Sequence, residues 1–283
     1  MYALLKYLPR RSLSRLVGRL AYLPLPQFLA TPLVRAFARI NRIDTAEAAR
    51  PIESFRSVGE YFIRDLRPEV RPIGSGVVSP VDGTVTEYGL IEKDTLLQVK
   101  GKTFSLSGLF CGYDQWRSFE DGYFVTTYLS PRNYHQIHSP VSGDIIESVL
   151  IPGDLWPVNC WSINSIDGLF TINERLIATI QTSAGPVAVV MVGATNVGAI
   201  AAGFDRICTN SGPLPSSITP MVRRYTPPVK IQAGERLAAF RLGSTVLVLF
   251  SKGAFCPGDN CRAGAIKFGQ TIGKFGQSIG GSS

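Results

Sequence analysis

The chain has 283 residues, of which 45% are hydrophobic and 18% charged, and it carries a formal net charge of +8. This length allows one large domain with a sizeable core, and the 28 glycines and 19 prolines favour a β-rich body over a helical bundle. Because no run of about 18 apolar residues is present, the sequence predicts no membrane-spanning helix.

The positive charge is concentrated at the N-terminus. Residues 1–44 contain eight basic residues and one acidic residue, so seven of the eight net charges lie there. Residues 12–23 predict one amphipathic helix, and a second is predicted from Thr31, with Pro32 in its first turn. Tandem basic helices are typical of segments that bind an anionic membrane. Packing on the body with a solvated arginine face is one alternative, and a mitochondrial transit peptide is another.

We therefore divide the chain into a membrane-associating segment, 1–45, and a body, 46–283. From about residue 77, short apolar runs alternate with turn signals, which predicts an α+β protein whose body is mainly antiparallel and sandwich-like. Particular predictions are a helix from residue 53, buried strands at 187–194 and 240–250, a loop at 211–228 and a frayed tail at 267–280.

Five cysteines are present, and no two have CxxC spacing. With only two histidines in the chain, a zinc site is not expected. The odd number of cysteines favours reduced thiols in a reducing compartment, although a Cys256–Cys261 bridge stays open.

The two histidines, His135 and His138, lie three residues apart in one segment. This clustering fits a catalytic site and a pair of structural histidines equally well. Asp82 alone marks a turn, and Gly243 before Ser244 is typical of a bend at the entrance to a strand. Together, Asp82, His138 and Ser244 supply the acid, base and nucleophile of a catalytic triad.

Three motifs, SPVDGTV (79–85), YHQIHSPVSG (134–143) and LGST (242–245), carry a resemblance to a known family. The chain resembles phosphatidylserine decarboxylase of the bacterial, membrane-associated type, over roughly residues 55–275. Further matching segments, in the same order, are YFIRDLRPEVRPI (61–73), QVKGKTFSL (98–106), FVTTYLSPRNYH (124–135), PGDLWPVN (152–159), LFTINERL (169–176) and VGATNVGAI (192–200).

The resemblance implies that the protein cuts itself. Ser244 Oγ would attack the carbonyl of Gly243, and elimination with loss of ammonia would convert Ser244 into a covalent pyruvoyl group. His138 would take the serine proton, and Asp82 would orient and stabilise the imidazolium. The products would be a β-chain, 1–243, and an α-chain, 244–283.

The resemblance also implies a lyase that converts phosphatidylserine into phosphatidylethanolamine. The pyruvoyl ketone would form a Schiff base with the substrate amine and act as the electron sink, and His135 would reprotonate the carbanion. No metal, external cofactor or nucleic acid is implied. A homodimer, held peripherally at the cytoplasmic face of a bacterial inner membrane, is implied.

Three other hypotheses stay open from the residues. A serine hydrolase could use Asp82, His138 and Ser244 on external substrates, although the chain has no GxSxG elbow. A non-catalytic membrane-binding module would use LGST only as a bend. A pyruvoyl enzyme acting on a soluble amino acid would not need the basic helices.

Overall fold

The computed structural model describes residues 9–99, 102–158, 160–195, 199–210, 212, 215, 217–241 and 244–276. The helices are α1 (Arg10–Ala21), α2 (Gln27–Ile40), α3 (Val58–Phe62), α4 (Leu106–Leu109), α5 (Cys160–Ser165) and α6 (Leu169–Ile172). The strands are β1 (Val77–Val78), β2 (Gly83–Leu90), β3 (Thr95–Val99), β4 (Lys102–Ser105), β5 (Tyr123–Leu129), β6 (Gln136–His138), β7 (Gly143–Ile151), β8 (Arg175–Thr182), β9 (Gly185–Val192), β10 (Ile200–Ala202), β11 (Met221–Ile231), β12 (Arg236–Phe240), β13 (Ser244–Phe250), β14 (Phe255–Pro257), β15 (Gly264–Ile266) and β16 (Thr271–Phe275). Short helices accompany a body of antiparallel strands, so the predicted α+β class is confirmed.

An antiparallel sheet of eight strands forms the centre of the body, in the order β11-β7-β8-β9-β13-β5-β2-β15. The smaller sheets are β1-β16-β14, β10-β12-β6 and the pair β3-β4. Strand β13 lies between β9 and β5, and all of its residues are buried. Both predicted buried strands are present, as β9 and β13. The second prediction began too early, because Arg236–Phe240 forms the separate strand β12.

Two segments predicted to be irregular contain strands. The predicted loop at 211–228 overlaps β11, an edge strand of the large sheet. Prolines are tolerated at edges and irregularities, and the pairing of β11 with β7 shifts register between Arg224 and Val229, around Pro227 and Pro228. The predicted tail contains β16, which pairs with β1 and β14. The last residues of that prediction, 277–280, lie outside the described residues.

Four cysteines, Cys111, Cys208, Cys256 and Cys261, carry free thiols. The Cys256–Cys261 bridge left open by the sequence is therefore absent. This agrees with the expectation of reduced thiols for these four residues.

The helix boundaries differ from the sequence predictions. Helix α2 begins at Gln27 and contains Pro32 in its interior. The segment predicted as one helix from residue 53 forms a short 3-10 turn followed by α3. Helix α3 begins after Ser57, and the Ser57 hydroxyl caps it by accepting a hydrogen bond from the Glu60 amide at 3.0 Å. Helix α2 packs with the α3 region in a small second core. The division at residue 45 stays a prediction.

Helix α1 lies with Arg10 and Arg11 toward the body, whereas Arg19 is exposed. Arg10 pairs with Asp154 and stacks over the Trp156 ring at 3.8 Å, and Arg11 pairs with Glu174 at 2.9 Å. Since these partners lie far along the chain, the arginine face of α1 is a docking face. The alternative of a solvated arginine face is wrong for these two residues.

Several large apolar side chains of the two N-terminal helices are exposed, although Val34 and Ala38 of α2 are buried in the second core. Leu16 and Leu20 of α1 are 54% and 63% exposed, and Leu23, just after the helix, is 51% exposed. Phe28 and Ile40 of α2 are 76% and 78% exposed. Several exposed large apolar side chains on neighbouring segments are typical of an interaction site. No helix in the described ranges is both long and apolar enough to cross a bilayer.

Candidate active site

Asp82 and Ser244 lie at the same edge of the large sheet. Asp82 directly precedes β2, whose Thr84 pairs with Tyr128 near the end of β5. Ser244 is the first residue of β13 and pairs with Leu129, the last residue of β5. The two residues therefore stand on either side of the end of β5.

The two histidines follow β5 and run beside the strand that leads to Ser244. His138 ends β6, which pairs with β12. The backbone carbonyl of His135 accepts a hydrogen bond from the Phe240 amide at 3.0 Å. Phe240 ends β12, four residues before Ser244. The fold thus brings the histidine segment beside β12, the strand that precedes the predicted nucleophile.

His138 is held as a neutral imidazole. Its Nδ1 lies 2.8 Å from the Gly234 carbonyl, which only accepts, so Nδ1 carries the proton. Nε2 then accepts from the Tyr134 hydroxyl at 3.0 Å. Burial lowers the pKa of His138 to about 4, although the bond to Gly234 opposes the shift. The ring is therefore prepared to accept a proton at Nε2.

Asp82 contacts His138 indirectly, through Phe268. The Asp82 carboxylate accepts from Arg71 Nε at 3.0 Å and Nη2 at 2.6 Å, and from the Phe268 amide at 2.8 Å. The Phe268 ring stacks on the His138 ring with 3.7 Å between centroids. No direct hydrogen bond joins Asp82 and His138 in the described structure, and the orienting role of Asp82 stays a prediction.

His135 is completely buried, and one ring nitrogen has no partner among the described residues. Nδ1 donates to the Asn133 carbonyl at 2.8 Å, and Nε2 is the unpartnered atom. The Phe62 ring packs on the imidazole, with centroids 4.0 Å apart. Burial lowers the pKa of His135 to about 3, against the bond to Asn133 and with a smaller contribution from Arg64.

Ser244 is also completely buried, and its Oγ finds no hydrogen-bond partner within the described part of the chain. The neighbouring Thr245 Oγ1 is also buried and has no hydrogen-bond partner among the described residues. A buried hydroxyl without a partner is costly, so these two groups need an explanation. Gly243, the predicted partner in cleavage, lies outside the described residues.

Three residues of this site were missed in the sequence. Tyr134 could have been suspected, because it directly precedes the histidine pair. Phe268 lies in the stretch assigned to a frayed tail, and Arg71 gave no signal of its own. Their roles depend on folding, since Phe268 and Asp82 are separated by 186 positions.

The site combines a buried serine at the entrance of β13 with a buried, neutral histidine at the end of β6, the strand that pairs with β12. In the uncut chain, a serine with no exposed surface does not meet an external substrate, whereas the carbonyl that precedes it in the backbone is within covalent reach. The arrangement is therefore unlike the solvent-open active site of a serine hydrolase.

Comparison with known proteins gives the family. Residues 58–274 match the family model for phosphatidylserine decarboxylase. A phosphatidylserine decarboxylase proenzyme of Myxococcus xanthus is 37% identical over 274 residues, which cover 95% of this chain and 96% of the relative. The proenzymes of an Anaeromyxobacter species and of Escherichia coli are 39% and 38% identical, covering 92% and 87% of this chain and 94% and 78% of the relatives. The chain belongs to the phosphatidylserine decarboxylase family and is an enzyme, so the non-catalytic module is set aside.

Proposed function

We propose that this chain is a proenzyme that cuts itself between Gly243 and Ser244 and then decarboxylates phosphatidylserine. The observation that carries the proposal is the Ser244 hydroxyl, which is fully buried at the entrance of β13 and has no partner among the described residues. In an external serine hydrolase, this atom would have to reach solvent. The proenzyme names of the relatives also support internal processing.

In the first reaction, His138 Nε2 takes the proton of Ser244 Oγ as the oxygen bonds to the Gly243 carbonyl carbon. The Gly243–Ser244 C–N bond breaks, and the amine of Ser244 receives a proton, which leaves an ester. Loss of the Ser244 α-proton then breaks its Cβ–O bond and frees the Gly243 carboxylate. Addition of water and release of ammonia complete the conversion of residue 244 into a pyruvoyl group.

His138 must change partners before it can act as this base. Its Nε2 accepts from the Tyr134 hydroxyl, so Ser244 has to replace Tyr134. The Nδ1–H bond to Gly234 holds the tautomer that leaves Nε2 basic. Asp82 fixes the backbone of Phe268, whose ring supports the imidazole.

In the second reaction, the pyruvoyl group supplies the electron sink for loss of CO2. His135 is the proposed proton donor to the substrate carbon. In the uncut chain its Nε2 carries no proton, because Nδ1 donates to Asn133. The donor role therefore requires that cleavage opens His135 Nε2 to a proton from solvent.

A lipid substrate is supported by the N-terminal helices. Their exposed leucines, Phe28 and Ile40 offer apolar surface to a bilayer, whereas an enzyme for a soluble amino acid needs no such surface. We place apolar side chains, rather than Arg10 and Arg11, at the membrane. A homodimer and the cytoplasmic face of a bacterial inner membrane stay predictions.

The test is an assay of the purified protein on phosphatidylserine in detergent micelles. We expect phosphatidylethanolamine and CO2 from the wild type, none from Ser244→Ala, and no CO2 from free serine. Correctly cut protein that leaves phosphatidylserine unchanged would refute the proposed substrate.

A further inference from the structure

A basic cavity lies between α1 and the segment that leads to Ser244. Its volume is about 310 Å³, and its lining includes Arg15 and Arg19 of α1, Tyr22 just after the helix, and Asn210 and Arg241. None of the described lining residues is acidic. Glu174, which accepts a hydrogen bond from the Asn210 backbone, is not among the lining residues and is paired with Arg11 at 2.9 Å. The cavity therefore has a positive electrostatic character.

Polar groups in the cavity wall lack partners. Asn210 is only 5% exposed, and neither its Nδ2 nor its Oδ1 is hydrogen-bonded within the described residues. The Tyr22 hydroxyl is buried and unpartnered in the same sense, and the Arg241 guanidinium lies 5.4 Å from the Tyr22 ring centroid. Unpaired buried donors beside guanidinium groups suit an anion with several oxygen atoms, above all a phosphate.

The position of the cavity connects it to the reaction. Arg241 precedes Ser244 by three residues, which limits their separation to about 11 Å of chain. Tyr22 packs so closely on Gly59 of α3 that an added Cβ would lie 2.6 Å from its ring. The same short helix carries Phe62, which packs on His135. The exposed Leu16 and Leu20 lie on α1 outside this lining.

We propose that this cavity binds the phosphodiester of a phospholipid headgroup, with Arg19 and Arg241 as its anion-binding side chains. The acyl chains would leave toward the exposed leucines of α1, and the serine moiety would extend toward residue 244. This inference rests on the proposed function, since it names the site at which that reaction would hold its substrate. Free inorganic phosphate could occupy the cavity through the same contacts, and the test below distinguishes it from a phospholipid headgroup.

The direct test uses Cys208, whose half-buried side chain lines the cavity. In uncut Ser244→Ala protein, the rate of N-ethylmaleimide addition to Cys208 is measured by peptide mass spectrometry, with and without glycerophosphoserine. The exposed Cys256 is the control within the same chain. We expect glycerophosphoserine to slow Cys208 labelling at least fivefold and to leave Cys256 unchanged. The protection should vanish in Arg241→Gln.

Two results of this experiment would overturn the proposal. The first is an unchanged Cys208 rate, or equal slowing of Cys256. The second is equal protection by inorganic phosphate and glycerophosphoserine at one concentration, which would assign the cavity to free phosphate rather than to a lipid. Because the protein is uncut, neither result depends on whether the chain processes itself or decarboxylates a lipid.

A kinetic test uses the cut enzyme on phosphatidylserine in micelles. Loss of a charge-assisted contact in Arg241→Gln should raise KM about tenfold or more, and Arg241→Lys should recover part of it. Gly18 lines the cavity and faces open space, so Gly18→Met should fill the cavity and raise KM more than Gly18→Ala does. The exposed Arg262→Gln is the control. Unchanged KM in Arg241→Gln and Gly18→Met, with normal cleavage, would refute the cavity and leave the proposed function intact.

Discussion

The two histidines show how a single residue type is prepared for proton transfer. Each Nδ1–H donates to a backbone carbonyl, which leaves each Nε2 as the basic atom. Burial disfavours the charged imidazolium, so both rings stay neutral well below neutral pH. A base that must accept a serine proton has to begin in this state.

This burial predicts a dependence of stability on pH. The pKa values fall from an ordinary 6.5 to about 4 for His138 and about 3 for His135. Above pH 6.5 the two imidazoles are unprotonated in both the folded and the unfolded chain. Below pH 6.5 they are protonated in the unfolded chain and stay neutral in the folded chain. The free energy of unfolding should therefore fall by a few kcal/mol between about pH 7 and pH 4.5. Urea unfolding of Ser244→Ala measures this.

The control for that measurement is His138→Gln in the same Ser244→Ala background. The variant lacks one of the two depressed histidines, so its stability should fall less over the same pH range. Equal losses in both proteins would show that His138 does not carry this effect.

At the residue scale, the sequence predicted the groups that stand in motifs and missed those that meet only after folding. Asp82, His135, His138 and Ser244 were selected from three short motifs. The link from Asp82 to His138 through Phe268 joins residues far apart in the chain. Spacing alone cannot reveal such a contact, because it depends on how β16 returns to β1.

Among the elements, α1 is the one whose orientation the sequence did not predict. Helical periodicity separated an arginine face from a leucine face, but it does not say which face packs on the body. Asp154 and Glu174, the acidic partners of Arg10 and Arg11, lie more than 140 positions further along the chain. Strands were easier to predict, since β9 and β13 are continuous apolar runs.

Exchange of Leu16 and Leu20 for glutamine tests the orientation of α1. Each leucine buried in a bilayer stabilises binding by roughly 1.5 kcal/mol or more, so the double variant should bind anionic vesicles at least tenfold more weakly. Vesicle sedimentation measures the fraction of protein bound, and the β-chain and the α-chain are quantified separately on a denaturing gel.

Arg11→Gln is the matched comparison for the leucine variant. It removes the partner of Glu174, which is 3% exposed, so the free energy of unfolding should drop by about 3 kcal/mol. Vesicle binding by the folded protein should stay within twofold of wild type. The reverse pattern, with weak binding in Arg11→Gln and normal binding in the leucine variant, would contradict this orientation.

At the scale of the whole molecule, strands of the predicted α-chain pair with strands of the predicted β-chain in two of the sheets. It contributes β13 to the middle of the large sheet, between β9 and β5. It also contributes β15, beside β2, and β16, beside β1. The sequence predicted β9 and β13 but assigned the segment of β16 to a frayed tail. Strand order depends on contacts between distant segments and was not predicted.

This interweaving predicts that cleavage does not separate the two chains. The α-chain and β-chain should elute together in gel filtration under native conditions and separate only in denaturant, because β13 is hydrogen-bonded on both sides. The composition of each fraction is read on a denaturing gel. Loss of the α-chain from the native peak would contradict the placement of β13.

The central claim is that Ser244 cuts the chain, and the intact mass of the purified protein under denaturing conditions tests it most directly. Ser244→Ala should fold, because the hydroxyl it removes has no partner among the described residues. The account predicts two wild-type species that divide between Gly243 and Ser244, the smaller beginning with a pyruvoyl group, and one uncut chain for the variant. A single uncut wild-type chain, or a variant that is cut at the same bond, would contradict it.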